Sequence, residues 1–527
     1  MRKRILFLIF VTVFLKELVW IAVVPLWHFP DEQAHFGQAA YIAEKGSQVP
    51  YPPENDLTEE ILIYEKTLGT KRDKFGNNKF TFHPQYRIDY SGHETGIFEE
   101  SLKNLSSNKE YRQMSIHEAS RYPPLYYFLI SLNYRLFYGR DLIIRVFVAR
   151  LFQLIFYMGV VLLAYLTAKN IFESVLQQTT AVMLVAFHPM FSFVSAGINS
   201  DNAGNLIFSV FTYISVITLK KGINLKRLIA LILTLILSVN IKPQFIVILP
   251  LIFVLLIIAF LIKKRQNSIN PGRILFTAVV FIISIMLLWR SGRDLFSIIF
   301  RFFSHFDVNL VTGHIKNYAL PHLYHEVMPW YWGIFNWLGV TYIRPVHRLV
   351  NWISLTAIIG LSIYFLKNVR KKIYWPVSGF FYLVFCNLLL FSGIYLYDWL
   401  ETVRTKYHLG VQGRYFFPLL VSQMILIFQG FRALFSFTAS LKSCLVKLLA
   451  VLMVIFHWYA LLVVSASYYD LSSIRMFIVQ ASQYKPWFFK GGFLFSLIAL
   501  AMSVNLVFLL QYLKEPENYG TAKKEKS

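Results

Sequence analysis

The sequence predicts an all-α polytopic membrane protein, and three observations carry that prediction. Of 527 residues, 56% are hydrophobic and only 15% charged, with a mean hydropathy of +0.51. Soluble domains lie nearer about 45–50% apolar and about 25% charged. Apolar runs long enough to span ~30 Å of hydrocarbon recur along the chain. The 49 Phe, 31 Tyr and 11 Trp suit a chain crossing two membrane interfaces many times, where amphipathic rings sit at headgroup depth. These numbers exclude both a water-soluble protein and a disordered one.

The first element is MRKR followed by an apolar run ending near Pro25 and Trp27. It imitates a secretory leader, but it carries Lys16 and Glu17 near its middle and no small-residue cleavage site follows. It reads as a retained first transmembrane helix. Further candidate spans lie near 151–167, 178–196, 203–219, 228–241, 244–262, 274–290, 349–366, 374–396, 415–431, 445–465 and 491–511. A weaker run, 123–139, contains Asn133 and Arg135 and reads as partial or re-entrant. The bundle thus has about 12–13 transmembrane helices. Cys386 and Cys444 both lie in apolar runs, leaving no disulfide framework and no CxxC zinc signature.

The net charge of +24 has two populations. Arg2, Lys3 and Arg4, the group at 220–227, Lys263 to Arg265, the group at 367–372 and the tail KKEKS orient the chain with its termini in the cytoplasm. That account of the charge leaves nucleic acid out as a partner. If 123–139 crossed fully, every later basic loop would move outside, which the charge rule disfavours. Three polar segments then face outward, 26–122, 291–348 and 397–414, the first long enough to hold short juxtamembrane helices. Residues 291–307 read as an amphipathic helix lying in the interface, with Arg293 and Arg301 on its polar side.

The second population is small, and it lies outside. WHFPDEQAHF places Asp31 and Glu32 within a turn of His35 just after the first span, where a carboxylate can take a proton from a hydroxyl. Asp31 would serve equally well as the N-cap of a helix. RYPPLYYFL brings Arg121 to an interface where it could meet an anionic headgroup. INSDN sets Asn199 and Asp201 between two apolar runs, as turn chemistry or as a polar site. Lys242, in IKPQF, is a lone cation near membrane depth against the positive-inside trend; snorkelling to the surface is the competing account. PHLYHEVMPWYWGIFNWLGV puts His322, His325 and Glu326 beside an aromatic cluster that includes Trp332, a weak metal pattern and a surface suited to stacking on sugars. Residues 398–418 gather Arg404, Lys406, His408 and Arg414 with Gln412 and Tyr415, and Gly413 would let the backbone approach a phosphate that Arg414 holds. Outer carboxylates beside outer cations on an apolar scaffold suit reaction of a hydroxyl with a lipid phosphate ester.

Taken as a set, PDEQAHF, PPLYY, INSDN, IKPQF, WYWGIFNWL and VQGRYFFP resemble a family of bacterial polytopic membrane proteins similar to the GT-C glycosyltransferases, such as protein O-mannosyltransferases and lipid A aminoarabinose transferases. The resemblance runs to about residue 420. It implies a GT-C-like catalytic module over 1–420, further transmembrane helices over 421–511 and a cytoplasmic tail over 512–527. It implies a bacterial plasma-membrane enzyme moving a sugar from a polyprenyl-phosphate-linked donor to an envelope glycan, lipid or protein, with inversion at the anomeric carbon. Asp31 matches the catalytic base, with Glu32 beside it, and Asp201 matches a second acidic position. Lys242 and Arg414 match donor-phosphate positions, with Arg404 and Arg121 as further candidates. His35, Asn199, His325, Trp332, Gln412 and Tyr415 would contact substrate. Asn336 stands where the pattern carries Gly, and the first outer loop is unusually long. Two acidic positions facing one phosphate would suit Mg²⁺ or Mn²⁺, although no ligand spacing demands a metal. The rivals are a lipid-linked sugar flippase, which predicts inverted repeats and broken helices, and a non-catalytic envelope assembly factor.

Overall fold

The computed structural model describes residues 2–48, 57–73, 76–88, 99–103, 111–112, 118–264, 307–368, 375–408, 410–435 and 439–516. The predicted span at 274–290, all but the last residue of the interfacial helix at 291–307, the basic cluster at 370–372 and most of the tail lie outside these residues, as does the Arg121 side chain.

The chain is nearly all helical. Its helices are α1 (Arg2–Val23), α2 (Glu32–Lys45), α3 (Glu59–Leu68), α4 (Leu125–Leu136), α5 (Leu142–Ile171), α6 (Val175–Ala186), α7 (Pro189–Ala196), α8 (Ser200–Lys221), α9 (Leu225–Val239) and α10 (Ile248–Lys264). After the undescribed segment come α11 (a helical stretch over 308–332), α12 (Arg344–Asn368), α13 (Val377–Thr405), α14 (Leu420–Leu434), α15 (Ala439–Tyr468), α16 (Ile474–Ala481) and α17 (Gly491–Leu513). Two antiparallel two-residue strand pairs, Leu57–Thr58 with Tyr111–Arg112 and Ile334–Phe335 with Val340–Thr341, pin loops rather than build a sheet.

Among the described residues nine helices are long and apolar enough to cross a membrane. Helices α6 and α7 together would make a tenth, but they bend by 57° at Phe187–His188. This is the run expected as one span over 178–196. His188 causes the break by capping α7: its Nδ1 accepts from Phe191 N–H at 3.2 Å, and Pro189 follows. Helix α4 has 12 residues and α9 has 15, so at 1.5 Å rise they reach only about 18 and 22 Å and fall short of ~30 Å.

The bundle core is mixed rather than purely aliphatic. Lys16 and Glu17 of α1 are both fully buried and paired at 3.0 Å, with Lys16 also bonding Ser192 Oγ at 2.6 Å. The predicted span at 151–167 begins nine residues earlier, at Leu142, and the added turns carry Arg145 and Arg150. Each is buried against a carboxylate: Arg145 on Glu60 at 2.6 Å, and Arg150 on Glu32 at 2.6 Å. Charge inside low dielectric costs several kcal/mol per ion unless paired, so these Arg–Glu contacts dictate where the loops around Glu32 and Glu60 dock. Small residues let α12 and α14 approach closely. A Cβ on Gly360 of α12 would sit 2.1 Å from the Gly430 carbonyl oxygen of α14, and one on Gly430 would sit 2.1 Å from the Ala357 carbonyl oxygen.

Candidate active site

The loop after α1 is locked before it delivers any chemistry. Arg150 grips both Glu32 carboxylate oxygens, at 2.7 and 2.6 Å, and also donates to the carbonyls of Val24 and Pro25 at 2.8 Å each. Phe29 and Phe147 lie against its guanidinium, both ring centroids 4.6 Å away. The INSDN turn closes on the same loop, with Asn199 Nδ2 donating to the Pro30 carbonyl at 3.3 Å. Glu32 is therefore a buried anchor, fully engaged by Arg150, and not a second solvent-facing carboxylate beside Asp31.

Asp31 does not cap α2. Its backbone is left-handed (φ 56°, ψ 19°) and its side chain makes no capping bond. That conformation is uncommon outside glycine, although Asp tolerates it better than most, and it turns the carboxylate away from the helix. Oδ2 instead accepts from Arg414 Nη2 at 2.9 Å, across 383 residues of sequence. Burial pushes the Asp31 carboxyl up, but the Arg414 guanidinium outweighs it, with help from Arg72, and holds the group below the usual carboxylate range.

A second pair stands beside the first. Asp201, in the first turn of α8, accepts from Lys242, which precedes the turn Pro243–Val247 leading into α10. Asn199 Oδ1 accepts from Asp201 N–H at 2.8 Å and so fixes the start of α8. Arg414 lies in the first turn of Gly413–Leu419, which leads into α14. Asp201 interacts electrostatically with Arg414 as well as Lys242, and His35 with Asp31, Asp201, Lys242 and Arg414. Four of the sequence-nominated charges, with His35, thus meet at one end of the bundle, three of them at helix N-termini whose dipoles favour anions.

The aromatic residues of RYPPLYY furnish the walls. Lys242 Nζ stands 4.7 Å from the Tyr122 ring centroid, and Tyr127 Oη is 2.8 Å from His35 Nδ1. Burial takes His35 down to about 3, against the opposing pull of Asp31, so the imidazole is neutral at neutral pH and acts as a hydrogen-bonding group rather than a cation. Tyr126 Oη donates to Gln153 Oε1 at 3.2 Å, and Gln153 in turn accepts from Asn202 at 3.1 Å. Tyr122, Tyr127, Arg150 and Gln153 were not apparent as site residues from sequence. Tyrosines suit an interface belt, and Arg150 lies just before the span expected at 151–167, so neither stands out in sequence.

Arg414 retains capacity. Its Nε and Nη1 groups are buried with no hydrogen-bond partner among the described residues, while Tyr415 lies beside the guanidinium at 5.7 Å. Gly413, expected to make room for phosphate, serves packing instead: a Cβ there would fall 2.3 Å from Tyr331 N, so the turn lies flat on α11.

The remaining nominees lie elsewhere. Arg404 is exposed and pairs with Glu401 three residues back. His325 is exposed, touching the Tyr324 ring. Trp332 is buried against His188 at the α6–α7 break, rings 4.8 Å apart and nearly parallel. Gln412 is half-buried and its carbonyl accepts from Tyr415 N–H at 3.1 Å. Asn336 sits in a left-handed run with Trp337 and Leu338 (φ 45°, 52° and 62°). Asn tolerates this conformation where glycine would be the usual residue, and its Oδ1 also meets His28 Nδ1 at 3.1 Å.

A family model described as "Predicted membrane protein (DUF2142)" matches residues 14–423, most of the chain and all of this cluster. The chain belongs to that family. No curated protein and no solved structure matches it. Family and fold agree on a multi-pass membrane protein.

Proposed function

We propose that this DUF2142 protein is a membrane glycosyltransferase using a polyprenyl-phosphate-linked sugar, with its site on the extracytoplasmic face of a bacterial plasma membrane. The observation that carries the reading is Arg414. It is buried, it bonds Asp31, and it keeps two buried N–H groups free beside Lys242. Burying donors without partners costs about 1–3 kcal/mol each, which an anionic ligand would relieve. A phosphate ester fits the guanidinium fork, the nearby ammonium and the helix N-termini.

In this reading the donor phosphate binds Arg414 and Lys242. Asp31 accepts the acceptor hydroxyl proton as that oxygen attacks the anomeric carbon. The anomeric carbon–oxygen bond breaks, and polyprenyl phosphate leaves with its negative charge held by the two cations. Attack opposite the leaving group inverts the anomeric configuration. The two carboxylates balance the two cations, so the donor phosphate brings an excess of negative charge that Mg²⁺ or Mn²⁺ would offset. The acceptor is a hydroxyl of an envelope glycan, lipid or protein.

The test is Asp31→Asn in full-length protein, with transfer followed by mass spectrometry of the envelope glycans and compared with a deletion strain. Loss of general-base catalysis predicts a fall of about 10²–10⁴-fold with expression retained; an active Asp31→Asn protein removes Asp31 as the base. A second reading, translocation of the lipid-linked sugar, draws on the 57° break at Phe187–His188, since transporters use broken helices. Labelled lipid-linked sugar in proteoliposomes separates the two: covalent transfer to acceptor supports the first, movement without bond cleavage the second.

A further inference from the structure

Outside this cluster, three side chains from distant parts of the sequence converge. His314 stands where the first α-helical turns of α11 give way to the π-helical turn Ile315–Ala319. Asp398 lies two turns before the end of α13. His408 follows Lys406, whose left-handed backbone (φ 65°) terminates α13 and folds the chain back over its own last turns. We propose that His314, Asp398 and His408 form a binding site for a divalent transition-metal cation of the zinc class.

The distances favour a shared cation over direct hydrogen bonds. His314 Nε2 is 3.5 Å and His408 Nδ1 is 3.6 Å from Asp398 Oδ2, and the three donor atoms all lie within 4.8 Å of one another. Metal–ligand bonds of about 2.0–2.1 Å in a tetrahedron place donor atoms roughly 3.3–3.4 Å apart. The two separations to Asp398 are at the limit for a hydrogen bond and close to that edge. His314 Nε2 is buried and has no hydrogen-bond partner among the described residues. His408 Nδ1 also lies 3.0 Å from the Thr402 hydroxyl, the contact a cation would displace.

Burial and orientation suit the same role. The Asp398 side chain is fully buried and that of His314 only 10% exposed, while His408 is 38% exposed, so the site opens to solvent on one side. Tyr318 stacks on the His408 ring at 3.4 Å with an interplanar angle of 6°, which fixes the imidazole plane. Two imidazoles and one carboxylate match zinc and its first-row neighbours; Mg²⁺ and Ca²⁺ take oxygen donors. Three protein ligands leave one position for water.

The placement gives the cation a purpose. It would join α11 to the chain reversal at Lys406, which lies eight residues before Arg414. Gly413 already packs on the Tyr331 backbone farther along α11, so the metal is a second fixing point for the turn that presents Arg414. The site shares no residue with the transfer chemistry proposed above and stands or falls independently of it.

The experiment measures metal in the full-length protein, purified in detergent with a histidine-free tag, stripped with a chelator and dialysed against Zn²⁺. Elemental analysis is expected to find about one zinc per wild-type chain, with uptake retained in His325→Ala, a nearby exposed histidine. Asp398→Asn and His408→Ala are expected to fall to background. His408 is exposed, so its variant keeps the fold even where loss of buried Asp398 does not. Co²⁺ loading should give the visible absorption of a tetrahedral ion in wild type and none in His408→Ala. A stripped wild type that takes up no zinc, or a His408→Ala protein that takes up as much as wild type, overturns the proposal.

Discussion

At the scale of single residues, Asp31 has the most to explain, because its local sequence suits a helix cap and its geometry rejects that role. The carboxylate is drawn from α2 by a partner 383 positions away, which no local pattern encodes. What sequence did reveal was the anomaly of the two cations, Lys242 and Arg414, which sit outside against the positive-inside trend, whereas Asp31 and Asp201 also suited an ordinary cap and an ordinary turn. The depressed Asp31 acidity fixes the sign of its pH behaviour. A carboxyl lower in the folded state than its unfolded value of about 3.9 adds stability above that value and loses it as pH falls through the folded one. For catalysis, kcat/KM should show no acid limb from Asp31 between about pH 5 and 7, since the free protein holds it ionised. Donor phosphate on Arg414 weakens that hold, so the acid limb of kcat should lie higher than that of kcat/KM; coincident limbs would argue against Arg414 as the shared partner. Arg414→Lys keeps the charge but loses the fork. It should weaken donor use by about 10–100-fold, the worth of a charged hydrogen bond, in a donor-concentration series.

At the scale of elements, helix positions followed from hydropathy and helix ends did not. The expected spans at 203–219, 244–262 and 445–465 fall inside observed helices, whereas the span expected from 151 starts at Leu142 because Arg145 and Arg150 interrupt the apolar run. Their burial rests on partners in the first polar loop, which hydropathy cannot see. Arg150→Met should strand the Glu32 carboxylate and cost about 3–5 kcal/mol, read as a fall in detergent melting temperature; Arg404→Met, at an exposed pair, should stay within about 1 kcal/mol. The α12–α14 contact makes a different prediction. With carbonyl oxygens 2.1 Å from the sites of added Cβ atoms, Gly430→Leu must push the helices apart. Loss of monodisperse protein on size exclusion is the expected outcome, while Gly393→Leu, with open space around its Cβ position, should be silent.

At the scale of the whole molecule, the all-α multi-pass architecture was legible from composition and the recurrent span-length apolar runs, and the convergence of its motifs was not. Residues 31, 201, 242 and 414 meet because α1, α8, α10 and α14 expose corresponding ends, a property of topology rather than of any window of sequence. The basic clusters predict which way that end faces: a cysteine placed at Lys226 should react with an impermeant reagent only in inverted vesicles. The helices beyond the family match also bear on the site. Lys485 is buried and donates to the carbonyl of Val24 at 2.7 Å, Tyr469 donates to that of Val23, and Trp20 of α1 meets His457 at 3.1 Å. Helix α1 therefore waits for a segment more than 400 residues further along the chain before its final carbonyls find all their partners. Until residue 485 has been inserted, the loop bearing Asp31 lacks part of its footing, so a nascent chain can hold Asp31, Asp201, Lys242 and Arg414 without holding them in register.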